Sequence, residues 1–236
     1  MYRILASLGA AFAFSRIALA MPMAAQSQAA PSQVQSADEL VAQLRQFEAS
    51  LPASEPSSGI PDPKEVRRRA LYDELWRLGS AAMPALSRGL ADPDVQVRRN
   101  VALFLIVAAK RWYEPSRPPL DARPCLQALI TALADSDSRV RGLAAQAVGV
   151  VGPDAAAAVP ALVALLGSAD EGSRNSACIG LTGIGPTARE ALPALREALS
   201  DSSEYVRRFA QRAIDAIEKS RDAVSRAGAH SRLGRS

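Results

Sequence analysis

Hydrophobic residues recur along the chain with the spacing of an amphipathic helix. Between residues 140 and 151, apolar side chains stand at relative positions 0, 3, 4, 7, 8 and 11, and the same spacing recurs between 206 and 217. Such a stripe covers one face of a helix. A shorter apolar trio with three- and four-residue spacing precedes each of these segments. The pattern therefore predicts pairs of helices, and nothing between 60 and 219 alternates like a strand.

A charged motif divides these helix pairs into repeats. An acidic residue, or serine in one copy, is followed six positions later by an arginine, and the copies are offset by 30, 43, 33 and 33 positions. Self-similarity of this kind is typical of a solenoid, in which each repeat completes the core of its neighbours. The acid column contains Asp62, Asp92, Asp135, Ser168 and Asp201, and the arginine column contains Arg68, Arg98, Arg141, Arg174 and Arg207.

The acids are predicted to start the second helix of each repeat. Asp62 and Asp92 each precede a proline, which is the arrangement of an N-cap with proline at the first helical position. In a stack, each arginine also faces the acid of the next repeat, so the two columns are predicted to form a ladder of ion pairs. A ligand-binding row of arginines stays open as the alternative, although rows of surface ion pairs more often have a structural role.

Glycine and proline mark the predicted helix ends. Gly152 and Gly185 are each followed by proline and are expected to stop second helices and force a turn. Pro160 and Pro193 fall inside the first helices or at their start. Because proline removes a backbone donor, a kink is expected there.

The repeat resembles the HEAT repeat. The first helix carries Pro-Ala-Leu at 84–86, 160–162 and 193–195, and the second begins with the pattern D-x-x-x-x-V-R. The units look most like the short HEAT-like class of the phycobilin lyases, over roughly residues 38–219. This resemblance implies an all-α fold, a right-handed α-solenoid of about five two-helix HEAT-like repeats. It also implies a curved surface of second helices that suits a protein or peptide partner.

Shorter segments flank the predicted solenoid. Residues 1–25 combine Arg3, an apolar run over 4–14 and small residues in cleavage-like order, which is typical of a secretory signal. The alternative is an N-terminus that is never cleaved; with cleavage, the expected location is periplasmic or secreted. The predicted segments are the signal 1–25, a flexible linker 26–37, repeat units 38–79, 80–110, 120–152, 153–185 and 186–219 with an insertion loop at 110–120, and a disordered basic tail 220–236.

The insertion at 110–120 accounts for the one long offset between repeats. It contains Trp112, Tyr113 and Arg117 among several prolines. Insertions in repeat arrays emerge as loops on one face, and exposed Trp, Tyr and Arg are frequent anchors of interfaces. These three residues are therefore candidate partner-binding residues. The alternative is that the aromatic pair folds back over the apolar helix at 101–109, since aromatic side chains beside an apolar helix are usually buried.

Candidate catalytic chemistry is scarce in the sequence. The chain has a single histidine, His230. HEAT-like enzymes that hydroxylate a protein side chain hold two metals with His-Glu pairs, and one histidine cannot build that centre. The sequence therefore predicts a non-enzymatic protein- or peptide-binding scaffold of the cell envelope, with no catalytic residues, metal or cofactor. A HEAT-like enzyme or a lyase-like accessory protein is the alternative.

Charge and hydropathy exclude two further classes of function. The formal net charge is +4, but the predicted signal and tail carry the excess, so the body of the chain is nearly neutral. HEAT-like DNA glycosylases need a basic groove, and nucleic-acid binding is therefore not expected. After the signal, no segment is predicted to cross a membrane.

Two cysteines leave one question open. Cys125 and Cys178 are predicted to lie in helices of different repeats. Export would permit a disulfide, provided that the fold brings their Cα atoms close enough. The alternative is two small buried side chains.

Overall fold

The structure is a computed structural model that describes residues 35–48, 62–109 and 118–233, with side chains as far as Lys219. Within these ranges the chain forms ten α-helices, joined by turns and short 3₁₀ segments, and no β-strand. The helices are α1 (Ala37–Gln43), α2 (Pro63–Leu78), α3 (Met83–Gly89), α4 (Val95–Ala109), α5 (Leu126–Ala132), α6 (Ser138–Val151), α7 (Val159–Leu166), α8 (Glu171–Ile184), α9 (Leu192–Ala198) and α10 (Glu204–Leu233).

The helices form five successive pairs. From α3 onward, a first helix of seven or eight residues precedes a second helix of fourteen or more. The second helices stack on one another, α4 on α6, α6 on α8 and α8 on α10. The predicted all-helical solenoid of two-helix repeats is thereby confirmed.

One continuous hydrophobic core runs through the stack, from Leu40 in α1 to Ile217 in α10. Most of the predicted stripe is buried, including Val140 and Ala144 in α6. Leu143 and Phe209, which occupy the same stripe position in α6 and α10, are only partly buried. They therefore lie at the edge of the core, where two neighbouring second helices meet solvent.

The helix caps stand two residues later than the sequence suggested, except in α2. Asp62 caps α2, with Pro63 in the first turn. The prediction that Asp92 caps its helix is wrong, because α4 begins at Val95 and Asp94 Oδ1 accepts the Gln96 N–H at 2.8 Å. Asp92 instead accepts the Asp94 N–H at 2.8 Å and closes the turn before the helix. Asp137 and Asp170 cap α6 and α8 in the same late position.

Glycines end the second helices, as predicted. Gly79, Gly152 and Gly185 have φ values of 58°, 78° and 66°, a region in which a Cβ atom is strained. The 3₁₀ segments Gly152–Ala158 and Gly185–Ala191 then lead into the first helices. Prolines stand in the first turn of α7 and α9, and the non-helical backbone lies earlier, at Ala155 and Ala188. The predicted kinks at Pro160 and Pro193 are therefore absent, and both prolines stand where a first helix begins.

The last helix corrects the predicted disordered tail at 220–236. α10 does not stop at Glu218 and its backbone stays helical to Leu233. Glu218 occupies the column in which glycine stops three of the four earlier second helices, and Ala, Arg and Lys beyond it are good helix formers. Without a glycine or proline stop, the helix continues.

The first pair, α1 with α2, corresponds to the predicted repeat unit at 38–79. Ser36 caps α1 and forms a reciprocal capping box with Glu39, so the last residues of the predicted linker at 26–37 belong to the start of a helix. The predicted signal 1–25 lies outside the described residues. So do Trp112, Tyr113 and Arg117.

One run, Ser138–Leu166, is long and apolar enough to cross a membrane by length and composition, against the expectation that no such run follows the signal. It consists of α6 and α7, which are separate helices joined through Gly152 at a φ of 78°. Packing accounts for part of its apolar composition, because Ala144, Val148 and Leu162 are fully buried in the solenoid core.

Helices α6 and α8 touch through glycine backbone. A Cβ atom on Gly183 would collide with the Gly149 carbonyl group and lie 2.6 Å from Gly149 Cα. A Cβ atom on Gly149 would lie 3.0 Å from Gly180 Cα. No side chain fits between the helices at this crossing, so the glycines set the spacing of two neighbouring repeats.

We expect Gly183→Ala to destabilise the fold by about 1–3 kcal/mol, because the methyl group forces α6 and α8 apart. Gly172→Ala is the matched control in the same helix, since its Cβ atom would meet nothing closer than Asp170 Oδ2 at 3.4 Å. Alanine there should raise stability by up to about 1 kcal/mol through helix propensity. Urea unfolding measures both, and equal effects would contradict the close contact.

Candidate partner-binding face

Arg98 forms the most complete ion pair between repeats. We call each arginine–acid pair that joins two repeats a rung of the ladder. Its Nε and Nη2 donate to Asp135 Oδ2 and Oδ1 at 2.7 and 3.1 Å, across the step from α4 to α6. Its Nη1 donates to the Asp92 and Pro93 carbonyls at 2.8 and 3.2 Å, within its own repeat. One planar guanidinium therefore ties a turn of its own repeat to a carboxylate of the next.

Arg174 forms an equivalent rung between α8 and α10. It donates to Asp201 from Nε and Nη2 at 2.7 and 2.9 Å, and to the Ser168 and Ala169 carbonyls at 3.0 Å. Arg99 adds a pair that the sequence columns did not include, donating to Asp137 Oδ1 at 2.9 Å. Since Asp137 also caps α6, this pair fixes the start of the next second helix.

The ladder is incomplete at three positions. Arg141 keeps the bonds to the Asp135 and Ser136 carbonyls, but Ser168 stands where the next acid would be. Arg207, in the last repeat, likewise donates to carbonyls of its own turn, at 2.7 and 3.0 Å. Arg68 pairs with Glu65 and donates to the Glu48 carbonyl. Acid and arginine thus meet between repeats at two of the predicted steps.

The rungs shift the ionisation of their members. Hydrogen bonds from Arg174 lower the pKa of Asp201, and those from Arg99 lower the pKa of Asp137, both below the ordinary value of 3.8. The same bonds raise the pKa of Arg174 and Arg99. These groups stay charged and paired at neutral pH, and their donors point into the stack, so a structural role fits them better than ligand binding.

The surface open to a ligand lies elsewhere, along the exposed sides of α6, α8 and α10. A hollow of about 410 Å³ crosses the three helices there. We call it the second-helix groove. Its walls include Gln146, Val150, Ile179, Thr182, Phe209 and Arg212, and its floor includes Gly149 and Gly183. A further hollow of about 320 Å³ continues between α6 and α8 past Arg139 and Leu143.

Aromatic and arginine side chains alternate along the α10 side of the groove. The Arg208 guanidinium lies 5.3 Å from the Tyr205 ring centroid and 5.5 Å from that of Phe209, and Arg212 lies 5.3 Å from Phe209. These are cation–π distances. Tyr205 is 60% exposed, so the cluster faces solvent.

The N-terminal segment occupies the start of the same face. Asn100 of α4 is fully buried, and its Nδ2 donates to the Leu44 and Phe47 carbonyls at 3.2 and 2.7 Å. Phe47 is extended, with φ −119° and ψ 139°. Next along the chain, Glu48 accepts a bond from Arg139 of α6 at 3.4 Å. The part of the face over α4 is thus filled by the chain itself, and no described segment covers the part from α6 to α10.

The cysteines are free and buried, and the structure forms no bridge between them. Burial raises the pKa of the Cys125 thiol, which also approaches Ser87 Oγ at 3.4 Å. Burial, with a contribution from the Asp201 charge, raises the pKa of Cys178 to about 12. Both thiols are therefore protonated and shielded at neutral pH.

The groove residues were only partly readable from the sequence. The apolar stripe predicts a core position for Phe209 in the groove, and likewise for Leu143 in the adjoining hollow. Arg208 and Arg212 lie outside the repeat columns and carried no motif. A signal was present in the spacing, because Tyr205, Arg208, Phe209 and Arg212 recur at three- and four-residue intervals on one helix face.

We expect Arg174→Ala to destabilise the fold by about 1–3 kcal/mol, because it leaves Asp201 unpaired at a site where the two side chains are only 14% and 12% exposed. Arg141→Ala is the control, since it removes the same carbonyl bonds but no inter-repeat carboxylate pair. It should cost about 1 kcal/mol less. Chemical denaturation of both variants measures the rung, and equal losses would contradict it.

Asp201 should also make the stability depend on pH. Its pKa in the fold lies below 3.8, so its contribution is fully present above about pH 4–5 and is lost as the pH falls through the folded value. Asp201→Asn removes this charge but can still accept the bond from Ser203 N–H. Wild type should melt higher than Asp201→Asn at pH 7, and the gap should close below about pH 3. A constant gap would contradict the pairing.

Comparison with known proteins agrees with this architecture. Residues 159–227 match the family described as HEAT repeats. No curated protein matches the sequence. Among solved structures, an engineered protein is similar at 22% identity and a TM-score of 0.52, over 78% of this chain and 79% of the other. A designed armadillo repeat protein in complex with the peptide (KR)4 is similar at 19% identity and a TM-score of 0.52, over 76% and 81%.

A natural protein has the same fold. The complex of CpcE and CpcF of phycocyanin lyase from Nostoc sp. PCC7120 is similar at 22% identity and a TM-score of 0.50, over 82% of this chain and 68% of the other. Identities at this level show a shared fold. Together with the helix pairs and the stacked second helices, they show that the chain is an α-solenoid of two-helix repeats, in which residues 159–227 match HEAT repeats.

Proposed function

We propose that this chain is a non-enzymatic scaffold of the cell envelope that binds a protein or peptide on its second-helix face. The observation that carries the proposal is the second-helix groove, an open hollow of about 410 Å³ with apolar, aromatic and arginine side chains. These residue types are enriched at the centres of protein interfaces. The designed armadillo repeat protein of similar fold is complexed with a peptide, which supports the same use here.

The proposed location in the cell envelope and the proposed non-enzymatic role are both supported mainly by the amino-acid sequence. The charged, apolar and small-residue pattern of 1–25 supports export to the periplasm or exterior. His230 is the only histidine, and the buried thiols are poor nucleophiles, so nucleophilic and general-base chemistry has few candidates. Trp112, Tyr113 and Arg117 stay candidate contacts on the sequence argument alone.

Site-specific photo-crosslinking tests the proposed face. A photoreactive residue at Val150, in the groove, should give a defined cross-linked product in the envelope fraction. The same residue at Thr131, exposed on the first helix α5, is the control and should give none. Circular dichroism checks that both variants fold. Products of equal yield from both positions, or only from Thr131, would overturn the assignment of the face.

A further inference from the structure

Resting on the proposed function, we infer that the segment bound in the second-helix groove is an acidic peptide in extended conformation, whose carboxylates pair with Arg208 and Arg212. Three features support an acidic partner: the charge of the groove, the contact of both arginines with Phe209, and the way the chain binds its own N-terminal segment.

The charge of the groove is one-sided. Arg212 lines it, and none of the residues around the hollow is acidic. Within the described part of the chain, neither Arg208 nor Arg212 has a carboxylate partner, in contrast to Arg98 and Arg174. A cationic wall without counter-charges is complementary to a partner that carries carboxylates.

Most neighbouring acids on α8 and α10 are already engaged, and Glu204, one turn before Arg208, forms no ion pair with it among the described residues. Asp170 caps α8 through the Ser173 N–H at 2.6 Å. Glu171 accepts the Ser203 hydroxyl at 2.6 Å, and Asp215 accepts a bond from Gln211 at 2.9 Å. These contacts hold the nearby carboxylates in other interactions and leave the two arginines to a ligand.

Phe209 prepares the arginines for binding. Both guanidinium groups lie over its ring, at 5.5 Å for Arg208 and 5.3 Å for Arg212. The cation–π contacts restrict the long side chains, and the N–H groups of both arginines have no carboxylate acceptor in the described part of the chain. Less side-chain entropy is then lost when a carboxylate accepts a pair of bonds.

The apolar part of the groove favours a peptide that carries an apolar side chain beside its carboxylates. Val150 and Ile179 form its sides, and Gly149 and Gly183 lower its floor to the backbone. A volume of about 410 Å³ accommodates a large aliphatic or aromatic side chain with adjoining backbone. The favoured peptide therefore places acidic residues on either side of one bulky apolar residue.

The chain's own N-terminal segment provides an internal precedent. Over α4 and α6, a 3₁₀ turn at Leu44–Gln46 leads into the extended residue Phe47, whose carbonyl accepts a bond from Asn100, and then into Glu48, whose carboxylate accepts a bond from Arg139. An extended residue followed by an acidic residue is thus already bound by side chains of second helices. The open part of the face repeats this arrangement, with Arg208 and Arg212 in place of Arg139.

Binding of defined synthetic peptides tests the inference. The probe is a short fluorescent peptide of alternating Glu and Ser around a central Leu, and its reverse-charge partner has Lys at each Glu. Fluorescence anisotropy should show that the chain binds the Glu peptide and that salt weakens the binding. Arg208→Gln/Arg212→Gln should weaken it about tenfold. Arg45→Gln/Arg189→Gln removes the same charge outside the groove, at exposed positions, and should bind like wild type.

The outcomes separate this inference from the proposed function. Equal binding of the Lys peptide, or equal loss in both double variants, would overturn the acidic-peptide inference. If Val150 cross-links a partner but the Glu peptide does not bind, the inference fails and the binding face stands. If Val150 gives no product while the Glu peptide binds with the predicted dependence on Arg208 and Arg212, the peptide chemistry stands and the envelope partner fails.

Discussion

Contact between successive second helices is the constraint on which this structure depends. No helix pair can bury its apolar stripe alone, so α4, α6, α8 and α10 must each lie against the next. Glycine backbone makes that contact between α6 and α8, and guanidinium–carboxylate pairs make it on either side of them. The rung is missing at the step where the glycines meet, so different interactions hold different steps of one stack.

The same residue type has two uses in this molecule, and its surroundings decide between them. Arg98 and Arg174 donate hydrogen bonds to carbonyls of their own turn and to an acid of the next repeat. Arg208 and Arg212 lie over an aromatic ring at the surface and have no carboxylate partner among the described residues. Arginines within one helical repeat can therefore hold the fold or present charge to a partner, and position along the second helix distinguishes the two.

The repeated sequence positions predicted the architecture, but they did not predict details that depend on local contacts. The apolar stripe and the glycine stops located the helices, because both follow from backbone geometry. The caps moved by two residues because Asp92 and its equivalents close a turn before the helix, and an acid–proline pair alone cannot distinguish these roles. Ser168 already signalled the missing rung. The groove could not be predicted, since whether Phe209 is buried or exposed depends on how far apart neighbouring helices lie.

The two buried thiols give each part of the stack its own reporter. Cys125 lies at the start of α5 and Cys178 within α8, both fully buried and unbridged. In a linear array, repeats can open separately, because each contacts only its neighbours. A thiol reagent can react with either cysteine only while its own repeat is open. The reaction rate of each thiol therefore reports local unfolding of its own repeat, the third for Cys125 and the fourth for Cys178. The difference between the two rates measures how strongly these neighbouring repeats open together.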